Sequence, residues 1–507
     1  MSIRERRNEK KQNAGSGGRQ RMTRSFPIHV GTGRSNMAAD YRKEIESYIE
    51  LHRDEMLHDI MDLCRINSEK AAYEQGKPFG AGAARALQQA MSMAESYGFS
   101  IRNYDNYVAA VDLEGGPRLL DILAHLDVVP AGDGWTVTKP FEPVIRDGKL
   151  YGRGTADDKG PAVAALYAMR AVKELGIPLK GSVRLLLGTD EELGGSDIDH
   201  YYSIEKEAPM TFSPDADFPV INIEKGQLQG HIVRNFGERE QAGARILSIE
   251  CGIRPNVVPS TAKAFVRGLD DDLVRETGER ITSETGVRFE IAGAPEGLRV
   301  CAFGETAHAS TPEEGKNALT ALLALLSALP FEQDPVTESV RALHQLFPYD
   351  DTEGTAVGAA RSDESGKLTL AFSMLSLTKE GLRAVFDARV PVSGTEDNVV
   401  APIRRKLETN GFTLEKAELL PAHVVDADSD FVKTLLESYE EITGKKGEPI
   451  AIGGGTYVHD LKNGVAFGAT MPGTDNHMHG ADEFAVIEEL VAAAKIYAVA
   501  IAKICGA

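Results

Sequence analysis

The chain has 507 residues, more than one hydrophobic core usually accommodates, so its length predicts at least two domains. Hydrophobic residues make up 42% of the chain and charged residues 26%, a globular composition that excludes a fibrous or largely disordered protein. The formal net charge of -20 would repel a phosphate backbone and excludes nucleic acid as a partner.

Signals of a membrane protein or of a disulfide-bonded secreted protein are not found in the sequence. No apolar run reaches the roughly 18 residues that a membrane span needs, and the four cysteines form no C-x-x-C pair. We therefore expect a cytoplasmic protein without a membrane partner. Residues 1–36 are rich in Arg, Lys, Gly and Ser and have no apolar centre, which predicts a disordered basic extension before a natural start at Met37.

The first elements alternate between helical and strand-like patterns. Apolar residues recur at three- to four-residue spacing over 40–64 and predict an amphipathic helix capped by Asp40. Short apolar runs at 108–113, 118–126 and 182–188 predict strands, and a helix is expected over 160–175. This alternation predicts an α/β domain with a ligand site at the carboxyl ends of its strands.

The pattern changes after residue 227 to shorter strand-like runs around an apolar helix at 318–329, which indicates an inserted α+β domain. Helical and Gly-rich sequence returns near residue 394 and ends in an apolar helix over 483–504. The predicted organisation is a metal-binding catalytic domain over 37–227 and 394–507, with a lid domain over 228–393 inserted into it.

Metal-capable side chains are concentrated in five short segments, each at the end of a strand or in a turn. The segments are 124–127, 152–160, 188–192, 213–217 and 477–483. Their imidazoles and carboxylates, without thiolates, form the ligand set of a hydrolytic zinc or manganese site. Because order, residue type and strand-end placement agree in all five segments, the pattern predicts metal binding.

In this order the segments resemble the dinuclear zinc metallopeptidase family of aminoacylases, carboxypeptidases and di- and tripeptidases, from Met37 to the end of the chain. The runs His-Leu-Asp-Val-Val-Pro-Ala-Gly-Asp-Gly-Trp at 125–135 and Asp-Asp-Lys-Gly-Pro at 157–161 resemble most the PepV-like dipeptidase branch. The resemblance implies an α/β fold, with a mixed sheet covered by helices on both faces and an inserted α+β lid. It also implies hydrolysis of small dipeptides by a monomer or homodimer.

The resemblance further implies a role for each residue of the metal site. Two zinc ions per subunit, or Mn2+ or Co2+ in their place, would be bound by His125, Asp157, Glu192, Asp215 and His479. Asp157 would bridge both ions, Asp127 would orient the first histidine, and Glu191 would exchange protons with the water that bridges the ions and with the leaving amine. His477 is an alternative ligand, but the H-x-x-D-E pattern selects His479.

Lid segments also resemble those of the family. The run Gly-x-x-Ala-His-Ala-Ser-x-Pro at 304–312 would bring His308 to the oxyanion. Asn256 would bind near the same oxyanion and Arg389 would bind the substrate carboxylate, although a turn and a structural ion pair also explain these two residues. Backbone amides suited to an anion would come from Gly454, Gly455 and Thr456.

Two other functions stay open on the sequence alone. An N-acyl amino acid deacylase or desuccinylase would use the same metals and base but would bind an acyl group in place of the substrate ammonium. A non-catalytic binding protein of the same fold would be expected if the base were lost. Glu191 and all five expected ligands are present, which favours an enzyme.

Overall fold

The computed structural model describes residues 34–237 and 243–507 of the chain. The extension predicted over residues 1–36 lies, up to residue 33, outside the described residues. Within the described residues the helices are α1 (Arg34–Leu51), α2 (Arg53–Cys64), α3 (Gly80–Ser96), α4 (Lys159–Glu174), α5 (Ser196–Ile204), α6 (Asp271–Thr285), α7 (Ala318–Ala328), α8 (Pro335–Leu346), α9 (Ala401–Thr409), α10 (Asp430–Thr443) and α11 (Ile487–Cys505). Short 3-10 helices cover Pro312–Glu314 and Tyr457–Asp460, and a π-helical turn covers Glu396–Val400.

The strands follow the same chain order. They are β1 (Ser100–Tyr104), β2 (Val108–Leu113), β3 (Arg118–His125), β4 (Val144–Arg146), β5 (Lys149–Tyr151), β6 (Ser182–Gly188), β7 (Met210–Ser213), β8 (Ala216–Asp217), β9 (Val220–Glu224), β10 (Gly226–Asn235), β11 (Arg245–Cys251), β12 (Thr261–Arg267), β13 (Arg288–Ala294), β14 (Gly297–Phe303), β15 (Ser362–Asp363), β16 (Gly366–Lys367), β17 (Thr369–Leu377), β18 (Gly381–Val390), β19 (Thr413–Leu420), β20 (His423–Val424), β21 (Pro449–Ile452), β22 (Gly464–Ala466), β23 (Ala469–Thr470) and β24 (Phe484–Val486).

The chain divides into two compact units. Of the described residues, unit 1 contains those up to Asn222 together with Val425–Ile450 and Gly455–Ala507, and unit 2 contains those from Ile223 to Val424 together with Ala451–Gly454. An insertion of one unit into the other was predicted, but the expected boundary at residue 394 lies inside unit 2. The reason is a long-range pairing: β19 runs antiparallel to β10 in the sheet of unit 2, so the chain leaves this unit only after that strand.

Unit 1 is built on a mixed sheet with the strand order β1-β2-β6-β3-β7-β22-β9. Strands β3, β6, β7 and β22 are mutually parallel, while β2 and β9 run antiparallel to their neighbours. The central strands read as nearly continuous apolar runs, which is expected when both faces of a sheet are covered.

Alternate residues of these strands pack on opposite faces of the sheet. In β6, Leu185 and Leu187 join the large core formed with α1, α2, α4 and α11, whereas Leu186 joins a smaller core formed with α5 and the 3-10 helix after Thr456. This two-sided covering confirms the predicted α/β class with helices on both faces.

Unit 2 is an α+β unit with one eight-stranded sheet in the order β13-β14-β12-β11-β17-β18-β10-β19, in which every pairing is antiparallel. Helices α6 to α9 bury apolar side chains, such as Leu322 and Leu343, in the core on this sheet. The shorter strand-like runs that the sequence predicted for this region include β11, β12, β17 and β18.

Two predicted helices differ from the observed ones. The first helix begins at Arg34 rather than at a cap formed by Asp40, and it breaks after Leu51 before α2 begins. The last helix begins at Ile487 rather than at Glu483, because Phe484–Val486 pairs with β5 as a strand. Within the described residues, no helix combines the length and apolar character needed to cross a bilayer.

Candidate metal centre

Three parallel strands bring metal-capable side chains to one edge of the sheet of unit 1. β3 ends at His125, β6 ends just before Thr189–Glu192, and β7 ends two residues before Asp215. His125 is in register with Gly188 at the end of the neighbouring strand. Because parallel strands end at the same edge, side chains that are far apart in sequence converge there.

Asp157 lies at the centre of this convergence, in the turn before α4. Its Oδ1 is 3.0 Å from His125 Nε2, and its Oδ2 is 2.8 Å from His479 Nε2. Asp215 Oδ2 is 3.5 Å from His125 Nε2, and Glu192 Oε2 is 3.2 Å from His479 Nε2. The two oxygens of Asp157 therefore face two different groups, one with His125 and Asp215 and the other with His479 and Glu192.

The two histidines of the last loop have different surroundings. His479 faces Asp157 and Glu192. The ring of His477 instead packs edge-on against Phe484, with the two ring centres 5.6 Å apart. Both histidines adopt a left-handed backbone, with φ of 62° at His479 and 56° at His477. Such a conformation is uncommon for residues other than glycine and is often found at functional sites.

Two overlapping sets of residues have ligand atoms close enough to hold a metal ion. His125, Asp157 and Glu192 form one set, and His125, Glu191 and Asp215 form the other, with all atoms of a set within 4.8 Å of one another. His125 Nε2 is fully buried and has no hydrogen-bond partner among the described residues, although two carboxylates lie near it. A buried imidazole nitrogen that faces carboxylates without a hydrogen bond to them fits a divalent cation.

The charges of these side chains also indicate cations. Burial and the charge of Asp215 raise the pKa of Glu191 well above its usual value, and burial together with Asp157 raises the pKa of Glu192 to about 7. Burial opposes protonation of His479, but Asp157 and Glu192 outweigh it and raise the pKa of this imidazole to about 11. Carboxylates crowded in a buried space repel one another, so divalent ions would relieve the repulsion and keep them ionised.

Asp127 has one more set of contacts than the sequence predicted. Its carboxylate accepts hydrogen bonds from the amides of Glu191 and Glu192, at 3.2 Å each. His125 Nδ1 lies 3.1 Å from the backbone oxygen of Asp127 and 3.4 Å from its carboxylate. Asp127 therefore contacts both the imidazole and the turn that carries the two glutamates, whereas the sequence predicted only the first contact.

Glu483 ends the H-x-x-D-E pattern, and the sequence predicted no role for it. In the structure it holds the loop that carries Asp157. Its Oε1 accepts from the amides of Gly154 and Ala156 at 3.0 Å each and from that of Asp157 at 3.4 Å, and its other oxygen pairs with Arg153. Arg153 also donates to the backbone oxygen of Gly480 at 3.1 Å. This buried pair thus ties the loop of Asp157 to the loop of His479.

The backbone of the Asp157 loop is fixed on its other side as well. The peptide bond between Asp157 and Asp158 is cis. Asp158 is fully buried, and its Oδ2 accepts from the backbone amide of His125 at 2.9 Å. Lys159, which is also buried, donates to the backbone oxygens of Leu63 and Ile66 at 3.2 and 2.8 Å.

The three predicted lid residues Asn256, His308 and Arg389 lie in unit 2. Asn256 accepts a backbone hydrogen bond from Ala309 at 3.0 Å, so Asn256 and the His308 loop are neighbours. The amide of Ser310 donates to His308 Nδ1 at 3.2 Å, and the Ser310 hydroxyl lies 2.6 Å from the same nitrogen. An accepting Nδ1 places the proton of a neutral imidazole on Nε2, which is the tautomer that can donate to an oxyanion.

Arg389 is buried, and its guanidinium contacts two groups of unit 2. Nε donates to Asp387 Oδ1 and Nη1 to the backbone oxygen of Gly453, each at 2.8 Å. A side-chain carbon at Gly453 would lie 2.7 Å from Ser310 Cβ, so the glycine allows this loop to pass beside the His308 segment. Gly454 follows in the same unit, while Gly455 and Thr456 belong to unit 1, where Thr456 caps the short helix at Val458.

Comparisons with known proteins give matches over most of the chain. Residues 122–503 match the sequence pattern of the peptidase family M20/M25/M40. The chain is 35% identical to the YtjP protein of Bacillus subtilis (strain 168), covering 89% of this chain and 97% of that protein. It is 33% identical to the Beta-Ala-Xaa dipeptidase of Lactobacillus delbrueckii subsp. lactis, covering 89% of this chain and 96% of that protein.

Solved structures show a similar fold. Human carnosine dipeptidase 1 matches 92% of this chain and 98% of its own with a TM-score of 0.55 at 16% identity. The aminoacylhistidine dipeptidase of Vibrio alginolyticus matches 89% of this chain and 97% of its own with a TM-score of 0.53 at 15% identity. At these identities the similarity shows the fold, while the sequence matches show the family.

Proposed function

The chain belongs to the peptidase family M20/M25/M40, and on that premise we propose that it is a dipeptidase that works with two divalent metal ions. One observation carries this proposal: the two oxygens of Asp157 face separate His–carboxylate groups. Two neighbouring cations need an anionic ligand between them to offset their repulsion, and a shared aspartate provides it.

The proposed ligands follow from the two groups. His125, Asp215 and one oxygen of Asp157 would hold the first ion, and His479, Glu192 and the other oxygen of Asp157 would hold the second. Zinc is the metal proposed for both positions, with Mn2+ or Co2+ as substitutes, because imidazole and carboxylate ligands suit all three ions. When bound, the ions would polarise the scissile carbonyl and lower the pKa of the attacking water.

Glu191 is the proposed proton carrier of the reaction. It lies beside the ligand Glu192 but contributes to neither of the two groups around Asp157, and Asp127 fixes its backbone amide. Glu191 would accept the proton of the attacking water and then donate it to the amine that leaves. His308 in unit 2, with its proton on Nε2, is proposed to donate to the oxyanion.

Dipeptides are proposed as substrates because the relatives that are similar over nearly the whole chain include a Beta-Ala-Xaa dipeptidase. We therefore include β-alanyl dipeptides among the expected substrates. Arg389 is proposed to bind the substrate carboxylate, in which case dipeptide amides would be poor substrates.

The proposal is tested by Glu191→Ala and a panel of substrates. We expect kcat on dipeptides to fall by about a hundredfold or more, while the bound metal stays at two ions per chain. Glu142→Ala, which removes an exposed glutamate of the same unit that pairs with Lys139, is the control and should match the wild type. The panel contains dipeptides, tripeptides and N-acetyl and N-succinyl amino acids.

Each possible failure of this experiment has a distinct meaning. A Glu191→Ala variant with the wild-type kcat would show that Glu191 is not the base. Loss of one metal ion in this variant would make Glu191 a ligand, consistent with its place in a set with His125 and Asp215. Faster hydrolysis of N-acyl amino acids than of dipeptides would replace the dipeptidase proposal by deacylation.

A further inference from the structure

Glu191 and Glu192 lie in the turn 189–192, which is held by two buried carboxylates. These carboxylates accept hydrogen bonds from the four consecutive backbone amides of the turn. Asp197 Oδ2 accepts from Thr189 at 2.5 Å and from Asp190 at 2.9 Å. The carboxylate of Asp127 accepts from the next two amides at 3.2 Å each. Asp197 and Asp127 are 0% and 1% exposed, so water does not compete for these hydrogen bonds.

Tyr457 completes this arrangement. Its hydroxyl donates a short hydrogen bond to the same Oδ2 of Asp197 that holds the first two amides. The Tyr457 side chain is buried in the smaller core of unit 1. The residue itself is the first of the 3-10 helix that directly follows the predicted substrate loop at Gly455 and Thr456. Tyr457 thus connects the segment after the substrate loop to the turn of the proposed base.

The end of β6 is shaped around this contact. A side-chain carbon at Gly188 would lie 2.2 Å from the Tyr457 hydroxyl and 2.6 Å from Asp197 Oδ2. Such distances are far below van der Waals contact, so only glycine leaves room for the pair.

Asp197 does more than an ordinary acidic residue in the first turn of a helix. One of its oxygens, Oδ1, accepts from the amide of Ile198 at 2.7 Å, as expected near the start of α5. The other oxygen is directed away from the helix, toward Thr189, Asp190 and Tyr457. The bond from Tyr457 helps to hold the plane of the Asp197 carboxylate, because a partial rotation of this plane would weaken three hydrogen bonds at once.

We propose that Tyr457 and Asp197 are positioning residues for proton transfer by Glu191. This inference rests on the proposed function, in which Glu191 is the base. Asp197 anchors the first half of the turn and Tyr457 keeps the carboxylate of Asp197 in its accepting orientation. Without the tyrosine hydroxyl the amides of Thr189 and Asp190 are held less tightly, and Glu191 spends less time in the geometry from which it takes a proton.

The test compares Tyr457→Phe with Tyr201→Phe. Each variant removes one buried hydroxyl from the same core cluster of unit 1, but the Tyr201 hydroxyl contacts Arg118 and Arg184 at 3.0 Å each and not the turn. We expect Tyr457→Phe to lower kcat by about tenfold, with KM and bound metal unchanged. Tyr201→Phe should keep the wild-type kcat, whatever its effect on the unfolding temperature.

A second readout does not depend on activity. Hydrogen exchange of the amides of residues 189–192 should become about tenfold faster in Tyr457→Phe and should not change in Tyr201→Phe. Asp197→Asn keeps the shape of the side chain and should accelerate the same exchange further. If Asp197→Asn does not fold, the exchange rates of Tyr457→Phe alone decide whether the pair holds the turn.

The outcomes separate this inference from the proposed function. Equal kcat values in Tyr457→Phe and Tyr201→Phe, a loss confined to KM, or unchanged exchange of residues 189–192 would overturn the positioning role. If the wild type hydrolyses no dipeptide, the proposed function fails and the role in proton transfer fails with it, while the exchange experiment still reports whether the pair holds the turn. An inactive Glu191→Ala variant together with a wild-type kcat in Tyr457→Phe would overturn this inference and leave the proposed function intact.

Discussion

Replacement of Glu483 by glutamine is expected to weaken metal binding, although Glu483 is not a proposed ligand. In the structure one oxygen of Glu483 holds the amides of Gly154, Ala156 and Asp157, and the other pairs with Arg153, which is 1% exposed. Glutamine has the same size and can keep one accepting oxygen. Its amide nitrogen cannot accept from Arg153, so the guanidinium is left buried without a counter-charge.

The magnitude follows from these contacts. Loss of one partner of a buried ion pair typically costs about 3–5 kcal/mol of the free energy of unfolding. Loss of a group that orients metal ligands typically raises the metal Kd by about 10–100-fold. Because Glu483 holds the amide of Asp157 and, through Arg153, the loop of His479, we expect both effects in Glu483→Gln.

The assay measures urea unfolding and zinc affinity in competition with a chromophoric chelator. The matched control is Glu488→Gln, which removes a charge five residues further along the chain from an exposed pair with Arg53 at 2.5 Å. A surface pair of this kind contributes at most about 1 kcal/mol, so the control should unfold and bind zinc nearly as the wild type does. Equal zinc affinities in the two variants would refute the reasoning.

Two further predictions concern unit 2 and the sheet of unit 1. His308→Ala should lower kcat by about a hundredfold if the imidazole donates to the oxyanion, and an unchanged kcat in steady-state kinetics would exclude this role. Asp121 is buried on β3, and burial raises its pKa to about 7 against the opposing charges of Arg118 and Arg184. Because this folded-state pKa exceeds that of the unfolded chain, the stability contributed by the protonated carboxyl is present at low pH and is lost as the pH rises from about 4 to about 7. Relative to the wild type, Asp121→Asn should therefore gain stability in urea unfolding between pH 5 and pH 8, and a pH-independent difference would contradict this.

The convergence of the candidate ligands could be predicted wherever a local pattern precedes them in the sequence. His125 ends an apolar strand, and Glu192 and Asp215 follow apolar strands. Because parallel strands end together, their convergence was predictable. The α/β class of unit 1 also followed from patterns of short range, because buried strands and amphipathic helices have distinct periodicities.

Contacts that depend on long-range pairing could not be predicted in this way. Tyr457 and Asp197 are 260 positions apart, and neither lies in a pattern that indicates the other. Glu483 resembled an ordinary acid at the start of a helix, until the pairing of β24 with β5 moved the helix start to Ile487. The end of unit 2 was placed too early for the same reason, because β19 pairs with β10, a strand that lies much earlier in the chain.

Counting the bound metal ions tests the central claim most directly. In inductively coupled plasma mass spectrometry of purified, zinc-loaded protein, we predict two ions per chain for the wild type and loss of tight binding of both in Asp157→Ala. His477→Ala, which removes a histidine that packs on Phe484, should still bind two. A single ion in the wild type, or two tightly bound ions in Asp157→Ala, would contradict the claim that this aspartate is shared between two metals.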